Sequence, residues 1–176
     1  MKNIKTLIFF GLTLFITSCA TNDSDVTISD TDLIGAWNLT EHYTENGIFA
    51  ITQNGVTINA TYQAIGSNFD FIITFSDNPK TTTSGGSYVL NATVSMLGQT
   101  ETWEENVEVP ANTSGGSWSL ENGILTMSEQ GESVQAEVID FDGTTLKLKF
   151  SLDKNLDLGT GESANISGQV YMTFTK

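Results

Sequence analysis

Apolar and polar side chains alternate with a period of two along most of the chain after residue 33. Successive side chains of a β-strand point to opposite faces, so this alternation predicts strands with one buried face. The pattern is clearest where Leu146, Leu148, Phe150 and Leu152 alternate with polar residues. Runs with the same period occupy residues 56–62, 69–75, 88–96, 134–138 and 170–174.

Turn-forming residues separate these runs at short intervals. Their Asn, Asp and Gly residues tolerate the positive φ of tight hairpins. About nine antiparallel strands joined by hairpins must pack as a sandwich or close as a barrel. The chain is therefore predicted to be all-β, with one domain over residues 33–176. The turn signals lie at residues 54–55, 77–79, 122–123, 130–131 and 142–143.

A short motif, Gly-x-aromatic-x-Leu, occurs three times and begins at Gly35, Gly86 and Gly116. A glycine admits a bend or a close approach of backbones, and the aromatic residue that follows can plug an end of the sheet. Convergent chemistry at strand starts would give the same motif. Either origin is compatible with a closed barrel whose ends are capped.

The N-terminal segment has the layout of a secretory signal. Lys2 and Lys5 precede an apolar core of eleven residues, 6–16, and small residues follow it. A helix that spans a membrane needs about 20 apolar residues, so this core is too short to be one. We predict that residues 1–18 are removed as a signal peptide.

Cys19, the only cysteine, ends the run Ile16-Thr17-Ser18-Cys19, which resembles the lipobox of bacterial lipoproteins. The resemblance implies that Cys19 becomes the first mature residue and carries a diacylglycerol and a further acyl chain such as palmitate. Ala20, where some lipoproteins have aspartate, implies attachment to the outer membrane, at its periplasmic face or at the cell surface. An ordinary secretory signal in which the cysteine falls by chance is the alternative. Residues 19–32 are predicted to be the lipidated cysteine and a flexible tether.

Charge excludes one class of partner. All 21 acidic residues follow Cys19, and two of the seven lysines precede it, which leaves a net charge of −16 after cleavage. Nucleic acid binding needs cations that neutralise phosphates, so we expect none. The acidity is typical of a soluble, self-repelling surface, and we expect a monomer.

Catalytic and metal-binding groups are scarce. The alternation places His42, the only histidine, opposite Trp37 and therefore towards solvent, where it has no catalytic partner. Zinc sites need several Cys or His ligands, and we expect no metal and no cofactor. Residues 153–159 space oxygen atoms as calcium loops do, but a solvated hairpin loop explains them better. We predict a non-enzymatic protein.

The same alternation selects side chains that would face a barrel interior. A carboxylate inside an apolar barrel is costly unless it is paired, so an inward-facing carboxylate would orient a ligand's polar group or lie at the wet rim. Glu41, which shares a face with Trp37 and Tyr43, and Glu105, which shares one with Trp103, are the two carboxylates. The remaining ligand-binding candidates are Tyr62, Phe71, Ile73, Tyr88, Trp118, Leu148 and Phe150.

Residues 33–39, with Gly35 and Trp37, look like the Gly-x-Trp first strand of lipocalins. More closely, residues 33–176 resemble the lipocalin-like domains of bacterial lipoproteins. The resemblance implies an antiparallel up-and-down barrel of about 8–10 strands, with an interior suited to a small apolar ligand. Typical lipocalins pack an arginine across that tryptophan, and this chain contains no arginine.

Two functions are compatible with these observations. The first is a membrane-anchored, lipocalin-like lipoprotein that binds a small hydrophobic or amphipathic ligand. Its partners would then be outer-membrane lipid, through Cys19, and that ligand. The alternative is a cell-surface interaction module, in which a packed barrel contacts glycan or protein through loops such as residues 81–87 and 112–117.

Overall fold

The computed structural model describes residues 26–53, 55–129, 131–159 and 162–176. Eight antiparallel strands follow one another in chain order and close as a barrel, because β8 pairs with β1. This confirms the predicted all-β, up-and-down barrel and sets the strand number at eight. A short helix, α1 (Asp30–Leu33), precedes β1 (Gly35–Gln53), β2 (Val56–Ser76), β3 (Thr81–Met96), β4 (Gln99–Glu121), β5 (Ile124–Glu129), β6 (Glu132–Phe141), β7 (Thr145–Gly159) and β8 (Glu162–Thr175).

The barrel has two different ends. One end, which we call the helix end, carries α1 and the turns that follow β2, β4 and β6. The opposite end, which we call the hairpin end, carries the turns that follow β1, β3 and β7. The short β5 pairs only with Ser117–Glu121 of β4, so the turn that follows β5 lies partway along the barrel. No helix in the described part of the chain is long and apolar enough to span a membrane.

Helix α1 closes the helix end. The Asp32 carboxylate accepts hydrogen bonds from the backbone N–H and the hydroxyl of Ser29, at 2.8 and 2.6 Å, and these bonds lower the pKa of Asp32. Leu33 is fully buried, and Val26 and Ile28 pack against the core. The tether predicted for residues 19–32 therefore overlaps a packed segment from residue 26 onward. Cys19 and residues 1–18 lie outside the described residues.

The interior side chains form two clusters. The helix-end core includes Trp37, Phe75 and Trp118, and the hairpin-end core includes Phe49 and Tyr62. Both clusters draw on strands from opposite sides of the barrel, so apolar side chains occupy the interior near both ends. Other members of the helix-end core are Leu33, Leu39, Ala64, Tyr88, Leu90, Leu125, Ala136, Val138, Leu146, Leu148, Phe150, Val170 and Phe174, and of the hairpin-end core Ala60, Leu152, Ala164 and Ile166.

Two copies of the repeated glycine motif each position a buried aromatic residue. Gly86 and Gly116 have φ values of 104° and 76°, and a Cβ at either would collide with a carbonyl oxygen of the adjacent strand, Asp70 or Ser128. Glycine is therefore required where the chain bends before the aromatic residue. Two residues after each of these glycines, Tyr88 and Trp118 are buried in the helix-end core.

Candidate functional site

The wall of the barrel opens between β1 and β2. Their ladder pairs Gly35 through Asn38 with β2, stops, and resumes only at the pair Tyr43 and Ile65. The pairing of β2 with β3 is also irregular, between Ser67 and Asp70. Over this interval the backbones of β1 and β2 are not paired, and a second interruption follows between Tyr43 and Gly47.

A cleft of about 530 Å³ lies at this opening. We call it the wall cleft. Its lining comes from β1 and β2 alone and combines polar, aromatic and aliphatic groups. The lining residues are Thr40, Glu41, His42, Tyr43, Thr44, Glu45, Gln63, Ile65, Gly66 and Phe69.

A bulge in β1 decides which side chains face inward here. The pairing of β1 with β8 shifts between Leu39 and Glu41, so the inward positions change from odd to even numbers. His42 and Thr44 are consequently buried, with 5% and 4% of their surface exposed. The prediction that His42 faces solvent is wrong, because it assumed an uninterrupted strand.

The same bulge turns Glu41 and Tyr43 outward. Glu41 accepts a hydrogen bond of 2.8 Å from the Thr173 hydroxyl, and the ring of Tyr43 stacks on Tyr171 at 4.8 Å between centroids. The prediction that Glu41 and Tyr43 share the inner face with Trp37 is therefore wrong. Both still line the wall cleft, on its outer rim.

His42 is buried without compensation from the protein. Neither ring nitrogen has a hydrogen-bond partner among the described residues, and the ring lies 5.5 Å from that of Tyr88. Burial disfavours the imidazolium and lowers the pKa of His42 to about 4. At neutral pH the ring is therefore uncharged and offers one N–H donor and one acceptor nitrogen.

Three further hydroxyl groups share this situation. Within the described ranges, the buried hydroxyls of Thr44, Tyr62 and Thr82 have no hydrogen-bond partner. Burial also raises the pKa of Tyr62, so its phenol stays protonated. Along β1, His42 and Thr44 lie between Leu39 of the helix-end core and Phe49 of the hairpin-end core. His42 and Thr44 therefore form a polar level between the helix-end core and the hairpin-end core.

Aromatic rings lie beside this polar level. Phe69 lines the wall cleft and stacks on Tyr88 at 6.0 Å, and Phe71 meets Tyr88 edge-on at the same distance. Burial raises the pKa of Tyr88 to about 12, so this group also remains neutral. The neighbourhood of His42 is thus aromatic and uncharged.

The rim of the cleft is acidic. Glu41 and Glu45 line it, and none of the ten lining residues is Lys or Arg. The pKa of Tyr43 is raised, first by burial and then by the charges of Glu45 and Glu41. An anion that approaches the cleft therefore meets repulsion and no compensating cation.

The remaining predicted site residues belong to the interior. Trp37 and Trp118 are structural at the helix end, because their ring N–H groups bond to Leu33 O and Ser76 O, at 2.7 and 2.9 Å. Glu105 is half-buried on the inward face of β4. Phe71, Ile73, Tyr88, Leu148 and Phe150 lie in or against the helix-end core, and Tyr62 and Trp103 in or against the hairpin-end core.

A second cleft, of about 540 Å³, lies nearer the hairpin end between β1, β2 and β3. Its lining includes Gly47, Ile48, Tyr62 and Thr93, and it shares Gln63 with the wall cleft. Unlike the wall cleft, it is lined by no histidine and by no charged side chain.

The calcium-like segment is not a loop. β7 extends through residues 153–159, and the Asn165 side-chain amide donates hydrogen bonds to Asp153 and Asn155 at 2.9 and 3.1 Å. The prediction of a solvated hairpin loop there is wrong. In the part of the chain that the structure describes, no group of three or more His, Cys, Asp or Glu side chains could hold a metal ion.

Comparison with known proteins finds no family model that matches this chain and no curated protein that matches it.

Proposed function

We propose that this protein is a membrane-anchored lipoprotein that binds a small hydrophobic or amphipathic ligand in the wall cleft. The observation that carries the proposal is the pair His42 and Thr44. Both line the cleft, both are buried, and both lack hydrogen-bond partners among the described residues.

The energetic argument concerns these orphaned groups. A buried polar group without a partner costs about 1–3 kcal/mol. A bound molecule that supplies the missing hydrogen bonds would remove that cost. The cleft volume of about 530 Å³ also lies in the usual range for small-molecule sites.

The anchor follows from the sequence. Acylation of Cys19 within the lipobox-like run would hold the barrel at the outer membrane, on its periplasmic face or at the cell surface. The acidic surface offers no electrostatic attachment to anionic lipids, so the acyl chains would supply the membrane affinity. Ligand binding would then be confined to the membrane surface, and the protein would act without catalysis.

Native mass spectrometry of the protein purified from its own host tests the proposal. We expect an adduct of one small molecule on the wild-type protein. The adduct should be lost or reduced in a Thr44→Val variant, which keeps the side-chain shape and removes the hydroxyl. If the wild-type protein carries no adduct and extracts of the host's lipids supply none, the proposal is wrong.

The alternative, an interaction module, is favoured by one observation. The hairpin end exposes apolar side chains at the tips of two hairpins: Leu97 is 83% exposed and Val56 63%. Exposed apolar side chains at one end of the barrel are candidates for a contact surface. A Leu97→Asn variant that loses attachment to a cell-surface glycan or protein, with its small-molecule adduct intact, would favour this alternative.

A further inference from the structure

We infer that the wall cleft selects an uncharged ligand whose polar head is a hydroxyl or an amide, and that this ligand enters sideways between β1 and β2. The inference rests on the proposed function and specifies the ligand class of the same site.

The donors and acceptors of the site define the head group. His42 is uncharged because of its burial and presents one donor and one acceptor, and the Thr44 hydroxyl can act as either. A head group that both donates and accepts can satisfy these two side chains together. Alcohols and amides have this property, whereas ethers, esters and hydrocarbons do not.

Electrostatics disfavours a fatty acid as the ligand. A carboxylate bound beside His42 would need a cation, and no lysine or arginine lines the cleft. Glu41 and Glu45 at the rim would repel it further. We therefore expect discrimination between molecules that differ only in the charge of the head.

The ladder gap is the opening in the wall that lies beside His42. Apolar cores occupy the interior near both ends of the barrel, and α1 covers the helix end. The interruption between Asn38 and Tyr43 in β1 lies at the cleft, and a ligand that parts the two strands there would reach the His42 nitrogens and the Thr44 hydroxyl, which are sealed from solvent. Phe69 and Ile65 on β2 provide the apolar surface along which the ligand's body would lie.

Photolabelling of the full chain tests both parts. The probes are a diazirine-bearing dodecyl alcohol, the matching fatty acid and the matching amine, and the labelled peptides are mapped by mass spectrometry. The alcohol should label residues 40–45 or 63–69. In the wild-type protein, the fatty acid should label this region at least tenfold less. The amine should also label it less than the alcohol, because an ammonium group cannot accept a hydrogen bond from His42 or Thr44.

Two variants provide a matched comparison. Thr82, like Thr44, is buried with an unpartnered hydroxyl, within the described residues, but it lies outside the wall cleft. Thr44→Val should reduce labelling by the alcohol about fivefold, the effect of one hydrogen bond of about 1 kcal/mol. Thr82→Val should leave labelling unchanged. In this comparison between variants the same probe is used throughout, so its partition into detergent cancels.

Each contrary result has a distinct meaning. Equal or stronger labelling of the cleft by the fatty acid or the amine would overturn the ligand class and leave the proposed function standing. Labelling confined to the barrel ends would overturn the sideways route. A host-derived adduct that the alcohol cannot displace would also refute the inference, whereas absence of any adduct refutes the proposed function itself.

Discussion

Lys176 holds its ammonium group over the indole of Trp37, with Nζ 4.5 Å from the ring centroid. Lys80 does the same over Trp118, at 4.8 Å. Each lysine also contacts the segment around α1. Lys176 donates a hydrogen bond to the backbone oxygen of Asp32, and Lys80 forms a salt bridge with Asp30. A lysine ammonium therefore covers each of the two buried tryptophans at the helix end.

Replacement of Lys176 tests this cation–aromatic contact. Lys176→Met keeps much of the aliphatic stem and removes the charge, so we expect the free energy of unfolding in urea to fall by about 0.5–1 kcal/mol. Lys176→Arg should retain most of the stability, since a guanidinium also packs on an indole. Equal stability of the Met variant and the wild-type protein would show that the contact contributes nothing.

Alanine substitutions at the repeated glycines should cause a steric clash whose cost can be separated from that of backbone strain. Gly86→Ala and Gly116→Ala should each destabilise the protein by more than about 2 kcal/mol, since the new Cβ meets a backbone carbonyl. Gly98→Ala is the control, because Gly98 has a similar φ of 78° and nothing within 4 Å of the added Cβ. It should cost only about 1 kcal/mol, the strain of the left-handed conformation. Similar losses at all three positions in urea unfolding would contradict the steric explanation.

Burial of His42 predicts that stability falls in acid. The pKa of His42 is about 4 in the folded protein and ordinarily 6.5, so the unfolded chain takes up the proton first. Stability should therefore be undiminished above pH 6.5 and fall as the pH approaches 4, by about 3 kcal/mol. The measurement is the free energy of unfolding of the wild-type protein minus that of His42→Leu, in which the contributions of the carboxylates cancel. A difference that stays constant from pH 7 to pH 4 would refute the prediction.

Local chemistry predicted the strands and turns well, because each depends on neighbouring residues. The Asp142-Gly143 turn, for example, forms around the Asp142 carboxylate, which accepts N–H bonds from Thr144 and Thr145 at 2.9 and 2.7 Å. The inward faces of β2, β3 and β7 follow the predicted alternation, and Tyr62, Tyr88 and Leu148 are buried as expected.

The candidate site was missed because it depends on an irregularity. A β-bulge inserts a residue without a sequence signature, and it inverts every inward position until the next irregularity. Because of this inversion, His42 and Thr44 face the barrel interior, where the alternation predicted Glu41 and Tyr43. His42, the single histidine, was the only sequence signal of this site, and its position in the alternation wrongly predicted that it faces solvent. The ladder gap beside it depends on pairing between strands, which the alternation within one strand cannot reveal.

Removal of Cys19 tests the anchor. Cys19→Ala should move the protein from the membrane fraction to the soluble fraction, because the acyl chains have no attachment site. Metabolic labelling with palmitate should disappear in the same variant. A Ser18→Ala variant is the control, since a small residue before the cysteine is preserved. Continued membrane fractionation of Cys19→Ala would exclude lipidation as the source of attachment.

Replacement of Leu97, at the tip of the β3–β4 hairpin, should increase the stability of the protein. It has a φ of 51° and is followed by Gly98 at 78°, the positive pair of a tight hairpin turn. Leucine is poorly suited to that conformation, and its side chain is 83% exposed. Leu97→Asn should therefore raise the free energy of unfolding by about 0.5–1 kcal/mol, because asparagine tolerates positive φ.

The matched control is Asn122→Leu, at a turn with nearly the same backbone, where φ is 50° and Gly123 follows at 75°. That exchange should lower the free energy of unfolding by a similar amount. The two opposite shifts, measured by urea unfolding, would show that Leu97 is retained at a cost to stability. Its exposed side chain would then be best explained by a contact made at the hairpin end. If Leu97→Asn is no more stable than the wild-type protein while Asn122→Leu is less stable, leucine makes a compensating contact within the hairpin.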